Sequence, residues 1–190
     1  ALFAAIAPED KDDTLAAMRE RARRHAMFVH VGSLAIQVSP EKAANRSYLI
    51  DPKGEIVARY DKVHMFDVDL ANGESYRESR NYRPGESGVL ADLPWGRLGL
   101  TICYDLRFPA LYRALAEAGA TFLGHSRVID PWGRIIAEGG TEPGIVMADI
   151  ELSEIAAARA RIPSLQHGRR FEIIEPMAEP VHLHVVKGAP

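Results

Sequence analysis

The sequence predicts an α/β protein in which two layers of helix on sheet pack face to face, an α-β-β-α sandwich. Three observations carry this prediction. Apolar residues recur at helical spacing after an acidic helix start near residue 13. Short runs rich in β-branched residues alternate with Pro, Gly and Asp turn signals. One hairpin pattern, I-D-P-x-G-x-I, occurs twice, which divides the chain into two related halves, each of helices on a sheet.

Pro8-Glu9-Asp10 opens the first helix, expected over about Asp13 to Arg24, with Leu15, Met18 and Ala22 on one face. Phe28 to Leu34 then reads as a strand. Ser47-Tyr48-Leu49-Ile50 and Glu55-Ile56-Val57-Ala58-Arg59 flank the turn Asp51-Pro52-Lys53-Gly54, where proline presets the bend and glycine completes it. Leu98 to Ile102 reads as a buried strand, and a helix is expected over about Pro109 to Ala118. A short strand over Ala120–Leu123 follows. Ser126-Arg127-Val128-Ile129 and Arg134-Ile135-Ile136-Ala137 repeat the hairpin around Asp130-Pro131-Trp132-Gly133.

A length of 190 residues suits a single domain over 1–190 with a sizeable core. Apolar residues at 47% and charged residues at 26% are ordinary for a globular protein. A net charge of −3 gives no electrostatic case for nucleic acid or an acidic membrane. One cysteine excludes an intrachain disulfide and fits a reducing compartment. No run approaches the roughly eighteen apolar residues of a membrane span. No charged start with an apolar core resembles a signal peptide. A cytoplasmic protein is the expectation.

That one cysteine, Cys103, ends the apolar run Leu98-Gly99-Leu100-Thr101-Ile102 and precedes Tyr104-Asp105-Leu106-Arg107-Phe108-Pro109. A strand end holds a nucleophile rigidly, and the turn beyond it opens space and exposes backbone N–H groups. A lone cysteine is ordinarily an inert core residue; its company decides otherwise. Upstream lie Tyr60-Asp61-Lys62-Val63-His64-Met65-Phe66-Asp67-Val68-Asp69 and Tyr76-Arg77-Glu78-Ser79, with Glu78 16 residues and Cys103 41 residues after Lys62.

At these motifs the chain resembles the nitrilase superfamily of carbon–nitrogen hydrolases. The likeness is closest to its Nit-type branch of ω-amidases and deaminated-glutathione amidases, and extends from about Thr14 to about His167. Arg83-Pro84-Gly85 and Gly124-His125-Ser126 are also similar to family turns. The resemblance implies the nitrilase-type four-layer sandwich, Cys103 as nucleophile, and Lys62 and Glu78 as catalytic partners. The residue types suit amide hydrolysis. A lysine ammonium stabilises both a thiolate and a tetrahedral oxyanion, and the backbone N–H of Tyr104 is a second oxyanion donor. A carboxylate carries the proton from thiol to leaving ammonia and then activates water against the thioester. No cofactor or metal is expected.

The repeat is uneven. A helix and a full strand precede the first hairpin, whereas Ala120–Leu123 runs straight into Gly124-His125-Ser126. The family carries a strand, a helix and another strand there, and an opening strand and helix ahead of residue 1. The sequence is therefore expected to be incomplete, with about 50 residues missing at each place by domain size. The family's general-base glutamate stands in a P-E motif ending an early strand. Pro8-Glu9 precedes a helix instead and lies too close to Lys62, so Glu9 is expected to act as a helix-dipole residue and the base to lie in the missing segment.

Glu78 is expected to orient Lys62, and Asp105 to pair with Arg107 across the turn, with carboxylate binding the minority role for Arg107. His64 and Arg107 are the candidate pocket rim, with packing at least an equal role for His64. His182 and His184 share a strand face but have no third ligand near in sequence. Lys42, Arg46 and Arg159–Arg161 read as solvated charge.

The leading function is hydrolysis of a small carboxylate-bearing amide through a Cys103 thioester, releasing ammonia. The alternatives are a nitrilase or N-carbamoyl amino acid hydrolase, or a catalytically inactive binding module. A nucleophile-elbow hydrolase is disfavoured, because no G-x-C-x-G or G-x-S-x-G is present. The family's habit of pairing sandwiches through helices implies a homodimer or higher homo-oligomer using the helix after Cys103.

Overall fold

The computed structural model describes residues 3, 5–70, 73–120, 127–140, 142 and 144–169. Helix α1 (Asp13–His25) starts where Asp12 accepts the Leu15 N–H at 2.7 Å, an N-cap that satisfies one orphan donor of the first turn. Strands β1 (Val29–Gln37), β2 (Ala43–Ile50) and β3 (Ile56–Asp61) form an antiparallel sheet in that order. The pleat sends Tyr48 and Ile50 to the α1 face, where they bury with Leu15, Ala22 and Ile36. Leu49, Ala58 and Tyr60 point the other way.

There they meet the hairpin of β6 (Val89–Leu93) and β7 (Gly96–Leu100), packing with Ala91, Leu98, Leu100 and Ile102 into a second buried cluster. Residues of alternate parity face outward from β7 toward α2 (Pro109–Glu117). Arg97 donates to the Ala118 carbonyl at 3.0 Å, and the Thr101 and Tyr112 hydroxyls lie 2.9 Å apart. The succession is thus α1, sheet, hairpin, α2: the α-β-β-α order expected from the sequence.

Between β3 and β6 a small hairpin, β4 (Asp67–Asp69) with β5 (Ser75–Arg77), leads into a 3-10 turn at Glu78–Arg80. Strands β8 (Arg127–Ile129) and β9 (Ile135–Glu138) form the repeated hairpin, and α3 (Ser153–Arg161) follows. The two repeats have the same turn chemistry. Asp51 Oδ1 accepts from the N–H groups of Lys53 and Glu55 at 2.9 and 2.8 Å; Asp130 Oδ1 accepts from Trp132 and Arg134 at 2.9 and 2.8 Å. Gly54 and Gly133 take φ of 79° and 83°, which glycine reaches without a Cβ penalty. Their surroundings differ. Ile50 is fully buried, while its counterpart Ile129 is 54% exposed.

Several expectations are corrected. The strand before Cys103 ends at Leu100, and Cys103 opens a 3-10 turn over Cys103–Arg107. Glu9 is not a helix-dipole residue of α1. It sits in a separate 3-10 turn and accepts from Arg46 at 3.0 Å, Arg59 at 2.8 Å and Tyr48 at 3.2 Å. The Arg59 hydrogen bond, opposed by burial, holds its carboxyl below the usual range. Arg46 is not solvated either: only 16% of its side chain is exposed, and it forms a two-pronged pair with Asp61 at 2.5 and 2.9 Å. Lys42 caps the Ser79 and Arg80 carbonyls at 2.8 and 3.0 Å, and Arg159 donates to the Ala120 carbonyl at 2.8 Å. The strand predicted to end at Leu123, Gly124-His125-Ser126, and His182 with His184 lie outside the described residues.

Candidate active site

Lys62 follows β3, and its backbone is fixed on both sides. Its N–H donates to the Asn45 carbonyl at 2.9 Å, and its carbonyl accepts from Gly85 N–H at 2.8 Å. The residue is 2% exposed. Such a buried ammonium needs a partner, and Glu78 Oε2 supplies it through a short hydrogen bond with Lys62 Nζ. The same Oε2 accepts from Phe66 N–H at 2.7 Å, and Asn45 Nδ2 approaches Oε1 at 3.4 Å. The Ser33 hydroxyl in turn is hydrogen-bonded to Asn45 Oδ1. Glu78 is thereby held from three directions, and Ser33–Asn45–Glu78–Lys62 is one polar chain. Nothing in the spacing of Ser33 and Asn45 announced this; the β1–β2 register brings them together.

Gly85 belongs to the turn Arg83-Pro84-Gly85 and packs directly on the backbone before Lys62. A Cβ there would overlap the Asp61 carbonyl oxygen. Gly85→Ala is therefore expected to displace the Asp61–Lys62 peptide, costing about 1–3 kcal/mol of stability and lowering kcat as well. Thermal unfolding read beside steady-state kinetics checks it; a variant matching wild type in both would show that the turn yields freely.

Cys103 is exposed and carries a φ of 49°, in the left-handed region that non-glycine residues rarely occupy. Such a conformation costs on the order of 1–2 kcal/mol and persists only where its surroundings enforce it. The enforcement comes from Asp105, which is fully buried. Its N–H donates to the Ile102 carbonyl at 3.1 Å while its Oδ2 accepts the Ile102 N–H at 2.9 Å, closing the turn around Cys103. Oδ2 also accepts the Tyr60 hydroxyl at 2.6 Å, and Oδ1 takes the His64 N–H at 3.1 Å and Nδ1 at 2.7 Å. Against a carboxylate, Nδ1 is the protonated ring nitrogen. Burial, reinforced by Asp105, pushes the Tyr60 phenol well above its usual range, so it remains a donor.

The predicted Asp105–Arg107 ion pair is absent. The tight turn spends the Asp105 carboxylate on inward donors and leaves Arg107 exposed, with no partner among the described residues. His64 packs inward, its ring stacked on Phe108 with centroids 3.6 Å apart. Tyr104 meets Phe66 and Phe108 edge to face at 5.0 and 5.3 Å. The structure thus joins Lys62 to Glu78 directly. It joins the Lys62 segment to the Cys103 turn through Asp105 and this aromatic cluster. Among the described residues, no group of three His, Cys, Asp or Glu could hold a metal, and no helix is long and apolar enough to cross a membrane.

Two sheets face to face between outer helices, with a cysteine on a strained turn beyond one of them, define the nitrilase-type sandwich. Comparison with known proteins agrees. The profile of the carbon-nitrogen hydrolase family matches residues 1–123 and 120–160, and the chain belongs to that family. A deaminated glutathione amidase of Yersinia enterocolitica is 34% identical, the match taking in 84% of this chain and 73% of the relative. That alignment runs over 208 positions, whereas 84% of 190 residues is about 160, so about 48 positions face no residue here. An omega-amidase of Bos taurus is 30% identical over 83% of this chain and 73% of its own length. Among solved structures, the C. elegans NitFhit protein aligns with a TM-score of 0.73 at 26% identity, covering 83% of this chain and half of that one. An amidase from Nesterenkonia sp. AN1 shares the fold at a TM-score of 0.67 and 22% identity, covering 87% and 78%. The relatives fall in the amidase branch that the motifs resemble.

Proposed function

We propose that this protein hydrolyses the amide bond of a small carboxylate-bearing amide, with Cys103 as the acylated nucleophile. The observation that carries the reading is the buried Lys62–Glu78 pair, fastened through Asp105 to the turn that holds Cys103 exposed at a φ of 49°. The Cys103 sulfur attacks the carbonyl carbon, a C–S bond forms, and the oxygen gathers negative charge. Lys62 Nζ, aimed by its hydrogen bond to Glu78, stabilises that oxyanion together with the Tyr104 N–H at the start of the turn. Collapse breaks the C–N bond, and the thiol's proton leaves with ammonia. Water then cleaves the thioester. A carboxylate base serves both proton transfers. Glu9 is unsuited to that duty, since Arg46, Arg59 and Tyr48 engage both its oxygens.

The relatives named as deaminated glutathione amidase and omega-amidase support a substrate with a free carboxylate. Arg107, exposed at the end of the nucleophile turn and without a partner among the described residues, is suited to such a group, whereas His64 is committed to Asp105 and Phe108. A single exposed thiol supports a cytoplasmic setting. A missing internal segment near residue 123 is supported by the 48 or so unmatched positions and by the bare second hairpin, where Ile129, Ile135 and Ile136 are about half exposed.

The test is mass spectrometry of the complete protein during turnover of an α-keto ω-amide. An acyl mass on the Cys103 peptide is expected; turnover with that peptide unmodified would overturn the reading. A homodimer through α2 is also proposed. Leu111 and Leu115 turn toward Gly88, leaving Ala110 and Ala114 exposed, while Arg113 pairs with Glu117 and donates to the Leu165 carbonyl. Small residues there permit close approach of a second helix. Sedimentation at micromolar concentration is expected to give a dimer; a monomer that still hydrolyses amides would remove assembly from the mechanism.

A further inference from the structure

Lys62 and Cys103 are 41 residues apart in sequence and stand on different layers of the sandwich, so their relative placement has to be set by something that touches both segments. Beside the aromatic contacts of Phe66 with Tyr104 and His64 with Phe108, one fully buried carboxylate does so through directional hydrogen bonds. Asp105 binds Tyr60 and His64, which bracket Lys62 two residues before and two after it. Through the Ile102 N–H it also closes the turn on the other side of Cys103. Four donors converge on two oxygens of a carboxylate with no solvent exposure, and no guanidinium or ammonium neutralises it among the described residues. Removing a carboxylate from water is costly, and a buried apolar residue would stabilise a core at least as well. What the carboxylate supplies instead is geometry, because each oxygen has one partner on the Lys62 side. Oδ2 spans the two segments by itself, taking the Tyr60 hydroxyl at 2.6 Å and the Ile102 N–H at 2.9 Å.

We propose that Asp105 is the positioning residue of the active site, setting the distance between Lys62 and Cys103 and imposing the left-handed backbone at Cys103. This rests on the reading of Lys62 and Cys103 given above. Asp105 touches no reacting atom; it acts through those two residues. Replacing it with asparagine keeps the shape but turns an acceptor into an amide donor facing donors on one side or the other. The Lys62 segment and the Cys103 turn are then no longer tied, and a displacement of about 1 Å costs on the order of 10²-fold in rate.

The test is a double-mutant cycle in the complete protein, using Lys62→Met, Asp105→Asn and the pair, with kcat and KM for one amide substrate. Asp105→Asn is expected to lower kcat about 100-fold with KM nearly unchanged. In the Lys62→Met background the same change is expected to cost far less, because a lysine that is gone cannot be mispositioned. A purely structural aspartate would give the same fold loss in both backgrounds, and that result overturns the proposal. So does an Asp105→Asn enzyme with wild-type kcat. If Asp105→Asn does not fold, Tyr60→Phe, which removes one donor and leaves the carboxylate, completes the cycle and is read the same way. An unchanged kcat in Lys62→Met alone would instead reject the underlying mechanism, a result separable from failure at Asp105.

Discussion

Cys103→Ala is expected to abolish amide hydrolysis while leaving the protein folded and as stable as wild type. The structure explains why the two effects separate. The sulfur is exposed rather than packed in either buried cluster, so its loss opens no cavity. Alanine has the same Cβ and meets the same resistance at a φ of 49°, so the strain in the turn is unchanged. Removing the nucleophile of a catalytic unit lowers kcat on the order of 10⁶-fold. Steady-state assay beside a thermal melt checks both halves. Turnover retained in the alanine variant would exclude Cys103 as the acyl carrier, and a collapsed melting temperature would mean the thiol is structural.

Lys62→Met is the second large effect. Most of the side chain's length is kept and the charge is removed. A loss of about 10²–10³ in kcat is expected, the scale of one oxyanion-hole donor, with a modest change in KM. Unlike Cys103→Ala, this variant also loses stability, about 3 kcal/mol, because breaking a buried pair strands the partner charge. The loss is expected at the low end because Glu78 keeps the Phe66 N–H and remains 15% exposed. Kinetics at two substrate concentrations, low and saturating, separate the outcomes. An effect confined to KM would make Lys62 a substrate-binding residue and leave the oxyanion to backbone amides.

What could be read from the sequence is what local chemistry determines. The Asp-Pro-x-Gly turns are closed by their own aspartates, and α1 by its neighbouring Asp12, so their residues suffice to place them. Lys62, Glu78 and Cys103 were singled out by motif register, which names candidate residues but not contacts; the direct Lys62–Glu78 hydrogen bond appears only in the structure. The Asp105 network was not legible. Its partners lie 41 and 45 residues away, and alternation with Arg107 suggested a neighbour that the 3-10 turn faces away from. Glu9, expected as a helix-dipole residue, and Arg46, expected as solvated charge, failed for the same reason, since ion pairs with partners distant in sequence engage both. The paired strand before Cys103 ends two residues early because its partner β6 begins at Val89, opposite Leu100; Ile102 keeps an extended backbone, and the chain turns only at Cys103.

The separation of local from distant contacts also orders events in time. Hairpins closed by their own turn residues form in about 1–10 μs, whereas pairings across 40 or more residues wait on loop closure. The meander of β1, β2 and β3 thus assembles before Asp105 can reach Tyr60 and His64. Chemical competence is therefore expected late in folding: after dilution from denaturant, the far-UV signal should return ahead of hydrolytic activity. The reverse order is expected on unfolding: under mild stress the carboxylate latch opens while the sheet still stands, and activity is lost at a lower denaturant concentration than the far-UV signal.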